Sequence, residues 1–230
     1  ESMKALKLIG VLLDYPADEL WQHRDELLAA TDDPLLSAAR RLQLHAFVDD
    51  MTSQMPMDAQ ETWLSLFDRG RAMSLLLFEH IHGESRDRGQ AMVDLMETYR
   101  KNGFDMATRE LPDYLPLVLE YLSQRPESEV TDWLKHTGPI IELLAARAGE
   151  RESPYALLFE LLIEIGQGEF DLTLLRKKVA SEARDDTPEV MDQVWEEEAV
   201  RFGNDAPSEN CAPPQRLPTG TKTNDKQVTP

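Results

Sequence analysis

LKLIGVLLDYPADELW, residues 6–21, decides the fold class. Leu6, Ile9, Leu12 and Leu13 recur at three- and four-residue spacing, which lines them up on one face of a helix. Pro16 closes that helix, because the residue before a proline is driven out of the helical region. Leu20 and Trp21 resume the pattern, followed by Leu27 and Leu28. Working outward, the same period governs most of the chain. Asp33-Pro34 reads as a cap with proline at the first helical position, leading into Leu35, Leu42, Leu44, Phe47, Val48 and Met51. A helix over 57–67 carries Trp63, Leu64 and Phe67, and Leu75-Leu76-Leu77-Phe78 is apolar all round, so it is expected at the centre. Met92, Leu95, Met96 and Tyr99 form the inner stripe of a helix that stops at Asn102-Gly103, a left-handed C-cap.

Downstream, Leu111, Leu115, Val118 and Leu122 mark one face of a helix opening near Pro112. Trp133, Leu134, Ile140, Ile141, Leu143 and Leu144 predict two short helices, or one broken at Gly138-Pro139. Ser153-Pro154 and Thr187-Pro188 each read as an N-cap followed by proline, and residues 157–165 and 172–179 complete the set. Strand patterning is almost absent, and no period of about 20 to 50 residues recurs. The expectation is an all-α chain: a single globular bundle of about ten helices over residues 3–202. A flexible, disordered C-terminal tail over 203–230 should follow, since it holds five of the 14 prolines and no aromatic residue.

A net charge of −19 on 230 residues is the strongest global feature. Such a surface repels phosphate backbones and anionic membranes, and attracts a basic segment that is amphipathic enough to be held by more than charge. The plain alternative is that the carboxylates only keep the chain in solution. The single cysteine, Cys211, excludes an intramolecular disulfide and any cysteine-based zinc or iron–sulfur site, and an unpaired thiol suits a reducing compartment. No run approaches the ~20 apolar residues of a membrane span, and Glu1-Ser2-Met3-Lys4 lacks the features of a signal peptide. A cytoplasmic protein is expected.

Enzyme signatures do not emerge. Neither Gly-rich phosphate loops nor a nucleophile elbow occur. Glu79-His80-Ile81-His82 carries one Glu-x-x-His, the spacing of helical di-iron sites, but those need a second copy and two further glutamates. A helical metal enzyme is therefore the outlying alternative.

Three segments concentrate the interest. In FDRGRAMSLLLFEHIHGESRDRGQAM, residues 67–92, Arg69, Arg71, Arg86 and Arg88 accompany Asp68, Glu79, Glu84 and Asp87 around an apolar centre. Arginine forks pair carboxylates bidentately, so this is either a structural network or a polar rim beside a groove for an amphipathic helix. As the local basic patch of an acidic chain, it also admits contact with an anionic cofactor or nucleotide. In ELPDYLPLVLEYL, residues 110–122, Pro112 and Asp113 fit a first helical turn, and Pro116 belongs there or marks a kink. Tyr114 and Tyr121, seven apart, are expected on one face of a helix that is either core or one wall of a peptide groove. Residues 182–209 hold ten acidic against two basic residues, either a solvated face or a docking patch for a basic partner.

These segments, with ARDDTPEVMDQVWEEE at 183–198 and the opening stretch, resemble the NarJ family of respiratory nitrate reductase assembly chaperones, in the same order and at similar spacing. The resemblance covers roughly residues 4 to 202. It implies an all-helical, non-catalytic protein that binds the N-terminal segment of the apo catalytic subunit. Such a chaperone delays membrane docking and permits insertion of bis-molybdopterin guanine dinucleotide, without binding a cofactor permanently. It also implies partner-binding roles for Phe67, Asp68, Arg69, Arg71, Glu84, Arg86, Asp87, Arg88, Pro112, Asp113 and Tyr114; Leu117 and Tyr121 join them as the same helix's groove wall. The wider group often shows Pro-Asp-His where Tyr114 stands here, so a role attached to that histidine does not carry over. The alternative within binding proteins is a direct carrier of molybdopterin or guanine nucleotide on the arginine cluster.

Overall fold

A computed structural model describes residues 3–83, 85–106, 110–168 and 172–192. The proposed tail, the 202/203 boundary and Glu84 therefore lie outside the described residues. Among the described residues there are eleven helices and no strand, only an isolated antiparallel bridge between Leu76 and Tyr114. The helices are α1 (Lys4–Leu13), α2 (Glu19–Gln22), α3 (Arg24–Ala30), α4 (Ala38–Ser53), α5 (Pro56–Phe67), α6 (Leu77–His82), α7 (Asp87–Lys101), α8 (Leu115–Leu122), α9 (Glu127–Glu150), α10 (Ala156–Ile165) and α11 (Leu172–Val179).

The centre is made by α1 and α8, two strongly apolar helices that pack on each other. In α1 the residues Ala5, Leu6, Leu8, Ile9, Leu12 and Leu13 are buried, and in α8 every residue but Glu120 is. Gly10 allows the two to approach closely: a Cβ there would lie 3.2 Å from both Leu119 Cβ and the Pro116 carbonyl oxygen. Around this pair, α10 packs against α9, α4 and α1, and α11 packs on α9. Removing this apolar surface from water, at about 25 cal/mol per Å², is the main stabilising term.

Several local expectations need correction. Asp33-Pro34 does not open a helix; α4 begins at Ala38, where the Ser37 hydroxyl accepts the Arg40 N–H at 3.2 Å. Asp33 is instead buried and accepts the Ala5 N–H at 2.7 Å, so it caps α1 from a distant segment. α9 runs unbroken through Gly138-Pro139. Pro139 faces solvent, so the carbonyl it deprives of a donor can bond water. α7 buries only Tyr99 of its expected stripe; Met92 and Leu95 are half-buried and Met96 is exposed, because α7 packs chiefly on the short α6. Leu75 and Leu77 are buried as expected, whereas Leu76 and Phe78 are half-buried.

Other expectations hold. α7 ends at Gly103, φ 70°, with the Phe104 N–H on the Tyr99 carbonyl and the Gly103 N–H on that of Arg100. Phe104 also packs edge-on to Tyr99. Pro116 sits in the first turn of α8. The Thr187 hydroxyl accepts the Val190 N–H, opening the helical residues 188–192 with Pro188 first. Ser153-Pro154 departs from expectation: the Ser153 hydroxyl accepts the Tyr155 N–H within a turn, and α10 begins only at Ala156, with Tyr155 at its N-cap and no side-chain cap.

Candidate functional site

The loop between α5 and α6, residues 68–76, is where the three motif segments meet. It leaves α5 at Phe67, which is a core residue: its ring packs against Trp63, Tyr155 and Phe159. Burial at 6% exposure makes Phe67 an anchor for the loop rather than a contact surface.

On one side the loop is bonded to the segment before α8. The Leu115 N–H donates to the Leu75 carbonyl at 2.9 Å, and the Leu77 N–H to the Asp113 carbonyl at 3.1 Å. The Asp113 carboxylate then accepts the Phe78 N–H at 2.9 Å, capping α6 from another part of the chain. Asp113 is fully buried, and its second oxygen, Oδ1, has no partner among the described residues. Burial raises the Asp113 carboxyl above the usual carboxylate range, opposed by its bond to the Phe78 N–H and by the charge of Arg88. Pro112 is buried too, its carbonyl accepting the Tyr99 hydroxyl at 2.8 Å. Pro112 and Asp113 thus lie in a turn ahead of α8, which begins only at Leu115.

On the other side the loop is held by the segment after α11. Asp185 Oδ2 accepts the Ala72 N–H at 2.7 Å, and Arg147 donates to the Ala72 carbonyl at 2.8 Å. Arg147 also bonds Glu182 at 2.9 Å, while Arg151 faces Asp185 and Asp186, each at 3.4 Å. Arg184 grips Asp186 through two nitrogens, which, against the effect of burial, brings the Asp186 carboxyl down to about 2. Gly70 is needed for this approach: a Cβ on it would lie 2.6–2.8 Å from the Asp185 carboxyl atoms.

The arginines expected to act together are therefore separated in role. Arg88 pairs with Glu79 at 3.4 Å. Asp68, Arg69, Arg71, Arg86 and Asp87 are exposed. His80 donates from Nε2 to the Ser74 carbonyl at 2.8 Å, and His82 packs edge-on to Phe78. Among the described residues no three His, Cys, Asp or Glu side chains converge as a metal site.

Tyr114 and Tyr121 do not share a face, because Tyr114 precedes α8. The Tyr114 hydroxyl reaches α1, donating to Asp14 at 2.8 Å. Tyr121 stays in the core against Tyr99 and Phe104, its hydroxyl donating to Glu129 and accepting from Asn102. Burial, followed by nearby negative charge, raises both phenols above the usual range. Beside Tyr114, between α1 and α8, lies a cleft of about 160 Å³. Gly10, Val11, Pro116 and Leu117 form its apolar part; Asp14, Glu110 and Glu120 edge it, with Lys7 the one cation of the lining. Val11 is 38% exposed there, an apolar side chain left open to solvent on the same face of α1 as the exposed Lys4 and Lys7.

Sequence reasoning missed Lys7 and Val11 on α1 and Asp14 at its C-cap, and Arg147 on α9 and Arg151 at its C-cap. The second pair carried a signal, two arginines four apart on one helical face, but nothing local names their partners.

The described residues define a class: an all-helical protein whose motif segments interlock around one loop, beside a small cleft with an acidic edge. The chain belongs to the NarJ family, matching the nitrate reductase delta subunit family over residues 31–160. It is 50% identical over 206 residues to the nitrate reductase molybdenum cofactor assembly chaperone NarJ of Escherichia coli K12, covering 87% of this chain and 85% of that protein. It is 44% identical over 205 residues to the probable assembly chaperone NarW of the same organism, covering 88% and 85%. The probable NarJ of Bacillus subtilis is 31% identical over 156 residues, covering 67% and 84%. No helix of the described residues is long and apolar enough to cross a membrane.

Proposed function

We propose that this chain is a maturation chaperone of nitrate reductase, a binding protein rather than a catalyst. It holds the apo catalytic subunit in the cytoplasm, by its basic amphipathic N-terminal segment, while bis-molybdopterin guanine dinucleotide is inserted and before membrane docking. The cofactor is the client's, and this chain takes it up at no resident site. The relatives' names support the chaperone role and the enzyme it serves.

The observation that carries the finer reading is the α1–α8 cleft. Its volume of about 160 Å³ accommodates one or two apolar side chains, not a folded domain. Three carboxylates against one lysine at its edge, on a chain of net charge −19, favour a segment that is apolar on one face and basic on the other. Tyr114 and Leu117 line the cleft directly. Phe67, Pro112, Asp113 and Tyr121 are buried and act by positioning the loop and α8. The exposed Asp68, Arg69, Arg71, Arg86 and Asp87, with the part-buried Arg88, offer the polar contacts to a larger client surface.

The test is maturation. Expressed in cells that lack their own assembly chaperone, this chain should restore molybdenum content and activity to the nitrate reductase. A client that stays cofactor-free while the chain accumulates in folded form contradicts the proposal.

A further inference from the structure

The segment that grips the α5–α6 loop from the C-terminal side contains Glu182, Ala183, Arg184, Asp185 and Asp186, with no large apolar side chain. Its hold is made of ions and hydrogen bonds. Ala72 is the grip point: its N–H is taken by Asp185 and its carbonyl by Arg147, which also holds Glu182. Arg151, 10% exposed, anchors Asp185 and Asp186 to the end of α9. Asp185 lies so close to Gly70 that no side chain fits between them.

From Ala72 the chain runs three residues to Leu75, whose carbonyl accepts the Leu115 N–H, and on to Leu76, which bridges Tyr114. Tyr114 lines the α1–α8 cleft. The three-residue run from Ala72 to Leu75, and then the backbone hydrogen bonds of residues 75–77 with 113–115, therefore join the ionic grip to the cleft wall.

We infer that residues 182–186 are an electrostatic latch, which by holding Ala72 keeps loop residues 72–76 and Tyr114 in the arrangement that forms the cleft. A bound latch pre-organises the cleft and lowers the ordering cost of binding. Opening the latch loosens the loop and weakens the site. Because the grip is ionic and part-exposed, salt or a competing basic segment opens it where an apolar clasp would stay shut. The functional half rests on the client-binding reading above; the structural half does not.

Amide hydrogen exchange on the full-length chain tests it, with Asp185→Ala and with the unaltered protein at roughly 0.05 and 0.5 M salt. Removing a charge-assisted bond to a backbone amide should speed local opening by on the order of tenfold or more. The expected result is faster exchange at Ala72, Leu77 and Leu115 in the variant, and in the unaltered protein at high salt. The amides of α9 and α10 should be unchanged. The salt arm needs no variant, so it decides the matter if Asp185→Ala does not fold. Unchanged exchange at Leu77 and Leu115 while Ala72 speeds up overturns the coupling, and no change at Ala72 overturns the latch. Peptide affinity is then measured on the same samples. Tighter or equal binding by the opened variant overturns the pre-organising role, and about tenfold weaker binding supports it. Absence of binding by the unaltered protein counts against the client-segment reading alone, because the exchange result stands without it.

Discussion

Gly70→Ala places one methyl group where the structure has a carboxylate. The added Cβ would stand 2.6–2.8 Å from the Asp185 carboxyl atoms, well inside contact distance. Gly70 is not at positive φ, so alanine costs nothing in backbone strain there, and the whole effect must come through Asp185. Displacing that side chain gives up its 2.7 Å bond to the Ala72 N–H and weakens the Arg151 contact. A charge-assisted bond of this kind contributes about 1.5–3 kcal/mol, and with the Asp185 side chain 33% exposed the lower end applies. Restricting the unfolded chain returns roughly 0.4–1 kcal/mol. The net loss is about 1 kcal/mol, or a melting temperature lower by about 2–4 °C for a domain of this size. The decisive comparison is the same substitution in an Asp185→Ala background, where no carboxylate remains to collide. There Gly70→Ala should be neutral or stabilising by a few tenths of a kcal/mol, as read by urea or thermal unfolding. Equal losses in both backgrounds would refute the contact as the cause.

Asp113→Ala should cost about 1–2 kcal/mol through loss of the cap on α6. Asp113→Asn isolates the charge: the raised carboxyl contributes stability that is complete below about pH 3.9 and lost as pH rises through its folded value. The melting-temperature difference should therefore move in the Asn variant's favour between pH 4 and 7. Asp186 has the opposite sign: its folded carboxyl, at about 2, lies below the ordinary value, so its contribution is present above about pH 3.9 and lost as pH falls toward 2. The melting temperature should fall over that acid range, and Asp186→Asn should remove this part of the dependence. Gly166→Ala, where a Cβ would lie 2.8 Å from the buried Leu134 Cβ, should force α9 and α10 apart and cost about 1–3 kcal/mol, checked by urea unfolding.

Helical periodicity made the bundle legible, because α1, α8 and α10 are apolar enough that their burial could not be otherwise. Caps that act on their own helix were legible too, as at Thr187 and Gly103. What failed was reach across the chain. Asp33 was read as a cap for the helix after it, yet it serves α1, and Asp113 was read as opening α8, yet it caps α6. A side chain's hydrogen-bonding chemistry is local knowledge, but its partner is set by packing. Pro139 misled for a related reason: the carbonyl it strands in α9 has water in reach, and that exposure is not written in the local sequence. The motif segments were identified from residues, but their junction at Ala72 depends on Arg147 and Arg151, which lie in none of them. Tyr114 and Tyr121 were placed on one face by counting seven residues along a helix that begins one residue too late for that count to apply.

Binding of a basic amphipathic client segment in the α1–α8 cleft is the step on which the proposed function turns. It is tested most directly by calorimetric titration with a peptide copying the N-terminus of the nitrate reductase catalytic subunit, at low and high salt, against the unaltered chain and Glu120→Lys. Glu120 is exposed at the cleft edge, so reversing its charge should leave the fold intact. Saturable binding with a negative heat-capacity change is expected, weaker in salt and several-fold weaker in the variant. Binding that is absent, or that is indifferent to both salt and Glu120→Lys, would contradict the proposed function.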